Sequence, residues 1–120
     1  MQLNLIVLRS DDMESLAGFY SALLGKELKR HRHGKGPEHF GTELEGLVFE
    51  IYPKRNDRDD TTSFRFGFVT ESLDLVLKRI DGFETNVVSE PKSSPWGRRM
   101  VLDDPEGHRI ELTEPLSLST

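Results

Sequence analysis

Apolar positions along this chain change period at regular intervals, and the changes mark out its elements. Residues 3–8, Leu-Asn-Leu-Ile-Val-Leu, form a short run of strand formers. Ser10-Asp11-Asp12 then offers side chains that cap a helix start, and Met13, Leu16, Ala17, Phe19, Tyr20, Leu23 and Leu24 recur at spacings of three and four. That is the period of an amphipathic helix, and Gly25 ends it. Strands are expected over about 27–33 and 39–44, joined by the turn Gly34-Lys35-Gly36-Pro37. A second turn at Glu45-Gly46 leads into the strand Leu47-Val48-Phe49-Glu50-Ile51-Tyr52.

The second half runs through the same order. Phe64-Arg65-Phe66-Gly67-Phe68-Val69 places its three phenylalanines on one face by strand alternation. Thr70-Glu71-Ser72 opens a helix carrying Leu73, Val76, Leu77 and Ile80, and Asp81-Gly82 stops it. Strands over about 84–89 and 99–102 follow, and Asp103-Asp104-Pro105-Glu106-Gly107 turns the chain into a last strand containing Glu111. Residues 53–62 are polar enough to be an exposed linker. Each half therefore reads as strand, helix and three strands, offset by about 60 residues. The expected fold is α+β: two βαβββ repeats, about 3–53 and 62–115, in one domain spanning 1–120, forming a mixed curved sheet with a concave cavity. One repeat alone has too little core to stand by itself, so the two are expected to pack side by side.

Composition narrows the function. A hydrophobic fraction of 35% with 31% charged residues describes a soluble globular domain. Net charge is −5, with 9 Lys+Arg against 11 Asp+Glu in residues 1–60 and 7 against 10 afterwards. Neither half is basic, so no nucleic-acid partner is expected. The basic stretch Lys29-Arg30-His31-Arg32-His33 has Glu27 and Glu38 beside it and reads as a solvated strand edge. There is no cysteine, which removes disulfides, thiolate metal sites and a cysteine nucleophile. No run approaches the ~18 apolar residues of a membrane helix, and no signal-peptide pattern opens the chain, so no membrane is expected and a cytoplasmic location follows by default.

Glu50 and Glu111 occupy matching places in the two halves, each between apolar strand residues. Alternation puts the carboxylates on one face, with Phe49, Ile51, Ile110 and Leu112 on the other. The carboxylate face also carries Leu5, Val7, Arg65, Gly67, Val48, Tyr52 and Thr113. A carboxylate among apolar residues calls for a cation, a proton or water, and finding it twice suggests a shared central site.

The paired arrangement resembles the vicinal oxygen chelate superfamily, which includes glyoxalase I, bleomycin-resistance proteins, extradiol dioxygenases and fosfomycin-modifying enzymes. The resemblance covers about residues 3–114. It rests on Phe19-Tyr20 followed by Leu24-Gly25, on Val48-Phe49-Glu50 entered from Gly46, and on Asp104-Pro105-Glu106-Gly107-His108-Arg109-Ile110-Glu111-Leu112. Metal-dependent members take a ligand from each of four strands. Two of those positions match here, Glu50 and Glu111, while the other two fall on Leu5 and Arg65. Leucine has no donor atom, and a guanidinium does not release a proton to bind a metal. The resemblance therefore implies a small-molecule-binding protein with no catalytic metal favoured. Relatives commonly pair, so a homodimer is implied as well.

Arg65 is expected to stand where relatives hold a metal, gripping an acidic or carbonyl-bearing small organic molecule while Glu50 or Glu111 serves as base or ligand contact. The competing reading is a charge triad that only satisfies itself. His39, beyond the glycine-rich turn, is the first choice for a titratable pocket residue. His31 and His33 alternate on one strand, either chelating a metal together or forming a solvated face, and His108 is expected at the surface. Leu5, Val48, Tyr52, Thr113 and Trp96 complete the candidate ligand-binding set, with Trp96 stacking on a flat ligand or packing at a subunit contact. The alternative function is a lyase, isomerase or dioxygenase whose divalent metal ion uses Glu50, Glu111 and a displaced donor such as His39. A third is an interaction module that keeps only the scaffold.

Overall fold

A computed structural model describes residues 1–116. The chain divides into two compact units, the first ending at Thr61 and the second beginning at Thr62. In the first, β1 (Leu5–Ser10), α1 (Met13–Leu24), β2 (Lys29–His31), β3 (His39–Leu44) and β4 (Leu47–Pro53) follow in order. They form a four-stranded mixed sheet of order β1-β4-β3-β2, in which β1 runs parallel to β4 and the other pairs are antiparallel.

Capping and packing explain α1. Asp12 accepts from the backbone N–H of Ser15, and Gly25 closes the far end with a left-handed φ of 65°, a conformation that costs a residue without Cβ little. The buried face of the helix, Leu16, Ala17, Phe19, Tyr20 and Leu23, lies against Ile6, Leu8, Phe49 and Ile51, and the Tyr20 and Phe49 rings sit 4.9 Å apart. Burial alternates along β1 and β4 as the apolar pattern requires, leaving Leu5, Val48 and Glu50 on the opposite side. β2 is shorter than expected. Leu28 is buried with its N–H bonded to the Ser21 hydroxyl on α1, so the chain joins the sheet only at Lys29, and His33 lies beyond the strand.

The second unit repeats the plan: β5 (Arg65–Val69), α2 (Leu73–Arg79), β6 (Asn86–Ser94), β7 (Gly97–Asp103) and β8 (Arg109–Pro115), in sheet order β5-β8-β7-β6. Ser72 caps α2, and the Glu114 carboxylate accepts from the N–H of Leu73. Leu73, Val76, Ile80, Met100, Leu102, Ile110 and Leu112 are buried. Phe64 precedes the strand and is exposed, while Phe66 and Phe68 are half-buried. β6 runs through Pro91 to Ser94, further than the sequence suggested, with register shifts on either side of Ser89. Proline is tolerated there because β6 is the edge of its sheet.

His108 departs from expectation. It is completely buried, not at the surface, with Nδ1 donating to Asp104 at 2.9 Å. Asp104 also accepts from the backbone N–H groups of Glu106 and His108. The carboxylate that shapes the turn thus draws the imidazole inward, where a charge needs such partners.

Candidate functional site

Strand register builds two clusters, one per unit. In the first, Gly41 pairs with Glu50 and Glu43 with Val48 across β3 and β4, while His31 pairs with His39 across β2 and β3. Paired residues share a face, so Glu50, His39 and His31 all stand on the side away from α1. Gly41 is what leaves Glu50 its place, because a Cβ there would lie 3.3 Å from Glu50 Cγ. The His39 ring stacks on Tyr52 at 4.3 Å, and the guanidinium of Arg9 sits 5.3 Å from the Tyr52 ring centre. A cavity of about 230 Å³ is lined by His31, His33, Val48 and Glu50, among others.

His39 is only 1% exposed. Its Nδ1 lies 3.3 Å from the carbonyl oxygen of Pro37. A carbonyl only accepts, so Nδ1 carries the proton, and in the neutral ring Nε2 is then a bare lone pair. Nε2 lies 3.3 Å from Oε2 of Glu50 without making a hydrogen bond, and it is the buried side-chain polar atom without a hydrogen-bond partner among the described residues. The His31 and His33 rings lie 5.8 and 5.1 Å from that of His39.

In the second unit Glu111 pairs with Gly67 on one side and Val101 on the other. Arg65 Nη2 meets one oxygen of Glu111 at 3.3 Å, and Arg99 Nε donates to the other. The Arg99 hydrogen bond, followed by the weaker influence of Arg65, holds the Glu111 carboxyl below its usual range against the opposing effect of burial. Arg65 and Arg99 remain 48% and 47% exposed, and Glu111 30%. The trio carries a net positive charge. On the same face Arg109 pairs with Asp103 at 3.0 Å, with Asn86 on the other oxygen of that carboxylate at 3.3 Å. Thr113 is half-buried one alternation beyond Glu111, opposite Val69 and Arg99. Trp96, in the β6–β7 turn, is 78% exposed.

The structure therefore brings together Arg65 with Glu111, and His39 with Glu50 and Tyr52, while Leu5 and Val48 pair on the first sheet and stay substantially exposed. Sequence reasoning missed Arg99 as a partner of Glu111 and the clustering of the His31, His33 and His39 rings on one face. Both depend on hairpin register, and the only sequence signal was their two-residue alternation with strand neighbours. A divalent ion at the four-strand position does not fit these residues. Leu5 offers no donor, Arg65 offers only donors of hydrogen bonds, and two guanidinium groups already occupy the Glu111 carboxylate. Among the described residues, no three His, Asp or Glu side chains converge as arranged on a point where an ion would sit.

A family model of the Glyoxalase/Bleomycin resistance protein/Dioxygenase superfamily matches residues 2–112. The chain belongs to this superfamily. Solved members share its fold. An antibiotic binding protein, TnmS3 from Streptomyces sp. CB03234, is 22% identical with a TM-score of 0.71, covering 97% of each chain. A glyoxalase/bleomycin resistance protein/dioxygenase family enzyme from Burkholderia phytofirmans PsJN is 13% identical with a TM-score of 0.74, covering 97% of this chain and 100% of that one. Oxidase ChaP-H2 is 22% identical with a TM-score of 0.73, covering 99% and 97%. No curated protein gives a significant match. No helix among the described residues is long and apolar enough to cross a membrane.

Proposed function

We propose that this superfamily member binds a small organic molecule bearing an acidic or carbonyl group, and that it does so without a catalytic metal. The observation that carries the reading is the pair of half-exposed guanidinium groups, Arg65 and Arg99, set around the single carboxylate of Glu111. Each guanidinium has five N–H donors and gives one to Glu111. The remaining donors and the net positive charge suit a carboxylate or a polarised carbonyl, which a planar fork meets in two-point fashion. Glu111 fixes the two arginines in place and neutralises one of their two charges, leaving a single net positive charge for the ligand. An antibiotic-binding relative of the same fold adds support for a binding role.

Titration calorimetry with benzoate, acetophenone and benzylamine tests the reading. Benzoate is expected to bind best, acetophenone more weakly and the amine not at all. Arg65→Ala should weaken benzoate by roughly 10- to 100-fold, the value of a hydrogen bond to a charged group, and Arg65→Lys should recover only part. Preference for the amine, or an unchanged response in Arg65→Ala, would defeat the proposal. So would a bound divalent metal that is lost in Glu111→Gln.

A further inference from the structure

Two irregularities in β6 decide which of its residues share the face of Glu111. Asn86 pairs with Asp103, Ser89 with Val101 and Lys92 with Arg99, and the register shifts between Val87 and Ser89 and again between Ser89 and Lys92. Paired residues share a face, so β6 brings Asn86, Ser89 and Lys92 beside Asp103, Val101 and Arg99. Uninterrupted alternation from Asn86 would have brought Val88, Glu90 and Lys92 instead. The second shift sets Glu90 and Pro91 together against Met100, which is buried on the other side of the sheet. The two bulges thus withdraw an acid from this face and keep a base on it. Bulges beside functional sites re-aim side chains in this way.

The base that remains stands against a like charge. Lys92 and Arg99 are directly opposite one another on neighbouring strands, an arrangement that destabilises a sheet when nothing negative answers it. Arg99 and Arg65 both donate to Glu111, and Arg109 is held by Asp103. Lys92 is exposed and makes no ion pair among the described residues. Arg65, Arg99 and Glu111 together carry one positive charge, and Lys92 raises it to two. Thr113 and Val69 continue the row of Lys92 and Arg99 across to β5, and Val69 is 73% exposed. That valine offers apolar surface to the body of a ligand.

We propose that the ligand of this site is a small organic diacid, and that Lys92 is the residue that selects for its second acidic group. The inference rests on the acid-binding reading of Arg65 and Arg99 and narrows its substrate class. One carboxylate meets the two guanidinium groups, and the other lies between Arg99 and the Lys92 ammonium, relieving their mutual repulsion. Two positive charges then face two negative ones. Neighbouring strands stand about 4.8 Å apart, which suits carboxylates set meta to one another on an aromatic ring.

Calorimetric titration of the whole chain with benzoate and with isophthalate, in low-salt buffer, tests it. Isophthalate is expected to bind at least about fivefold more tightly than benzoate, beyond the roughly twofold that two equivalent carboxylates give by statistics. Its affinity should also fall more steeply with added salt. Lys92→Ala should bring the ratio down to the statistical level, Lys92→Arg should keep it high, and Lys92→Glu should push it lower still. Lys92 is exposed on an edge strand, so these variants leave the core intact. Lys78→Ala removes the same charge from α2 and should leave the ratio unchanged. A ratio at the statistical level in the native protein overturns the proposal, as does one that survives Lys92→Ala or falls equally in Lys78→Ala. Benzoate bound through Arg65 with no gain from a second carboxylate sinks the diacid inference alone. Failure of both acids to bind sinks the acid-binding reading with it.

Discussion

Asp104 supports the last turn of the second unit with its side chain as well as with its backbone, whose N–H donates to the His108 carbonyl and whose carbonyl accepts from Gly107. Its carboxylate accepts two backbone N–H groups and the His108 Nδ1–H, with both side chains completely buried. Removing one partner of such a pair strands the other without solvent, a loss of the order seen when buried pairs are broken. Asp104→Ala is therefore expected to lower unfolding free energy by about 3 kcal/mol, measured by urea titration, and Asp104→Asn by less, because the amide oxygen still accepts. A change below about 0.5 kcal/mol for the alanine variant would contradict this account. At this scale the sequence was least informative. The Asp-Pro-Glu-Gly turn was visible, yet nothing in the spacing of Asp104 and His108 showed that the ring folds inward. The partnership of Arg99 with Glu111 was hidden for the same reason, since it depends on how far β7 slides along β8.

Elements were far more legible, because their signals are periodic. β3 spans His39–Leu44 and α1 Met13–Leu24, as alternation and three-and-four spacing required. The misreadings have local causes, such as Leu28 pinned to α1, and Pro91 accommodated on an edge strand. The β6–β7 hairpin depends on Gly97 in a way the sequence does not announce. Its φ is +129°, and an added Cβ would meet the Glu114 carbonyl oxygen at 2.1 Å. Neither backbone is free to retreat, as Gly97 is paired with Pro115 in the ladder. Gly97→Ala should cost at least about 2 kcal/mol, the strain of a disfavoured backbone conformation plus a displaced strand end. Thermal melting of the variant checks this, and an unshifted midpoint would show that the hairpin adjusts freely.

Across the molecule, acid should be more damaging than base. Among the described residues, carboxyl groups held below their ordinary values include Asp12, chiefly by the Ser15 hydroxyl, Asp59 by Arg55, Asp103 by Arg109 and Glu111 by Arg99. A group with a depressed folded pKa contributes stability that is fully present above its unfolded value, 3.8 for aspartate and 4.5 for glutamate. That contribution fades as pH falls through the folded value. The melting temperature should accordingly be flat above about pH 5 and drop below about pH 4. In Glu111→Gln the drop should be shallower, by the modest amount expected of half-exposed ion pairs. Equal acid sensitivity in that variant would remove Glu111 from the account. At the same scale, the repeat was the most legible feature of all, because two runs of strand, helix and three strands cannot arise from composition alone.

The lone indole of this protein, Trp96, stands at the tip of the β6–β7 hairpin and is 78% exposed. Its emission in the native protein already reports an aqueous surrounding, so a denaturation curve followed by intrinsic fluorescence will move little while the buried layers of either unit come apart. Quenching by iodide should be nearly as efficient before unfolding as after it. The same property makes the hairpin a low-background sensor: a blue shift on mixing with any solute or second molecule reports contact at that tip.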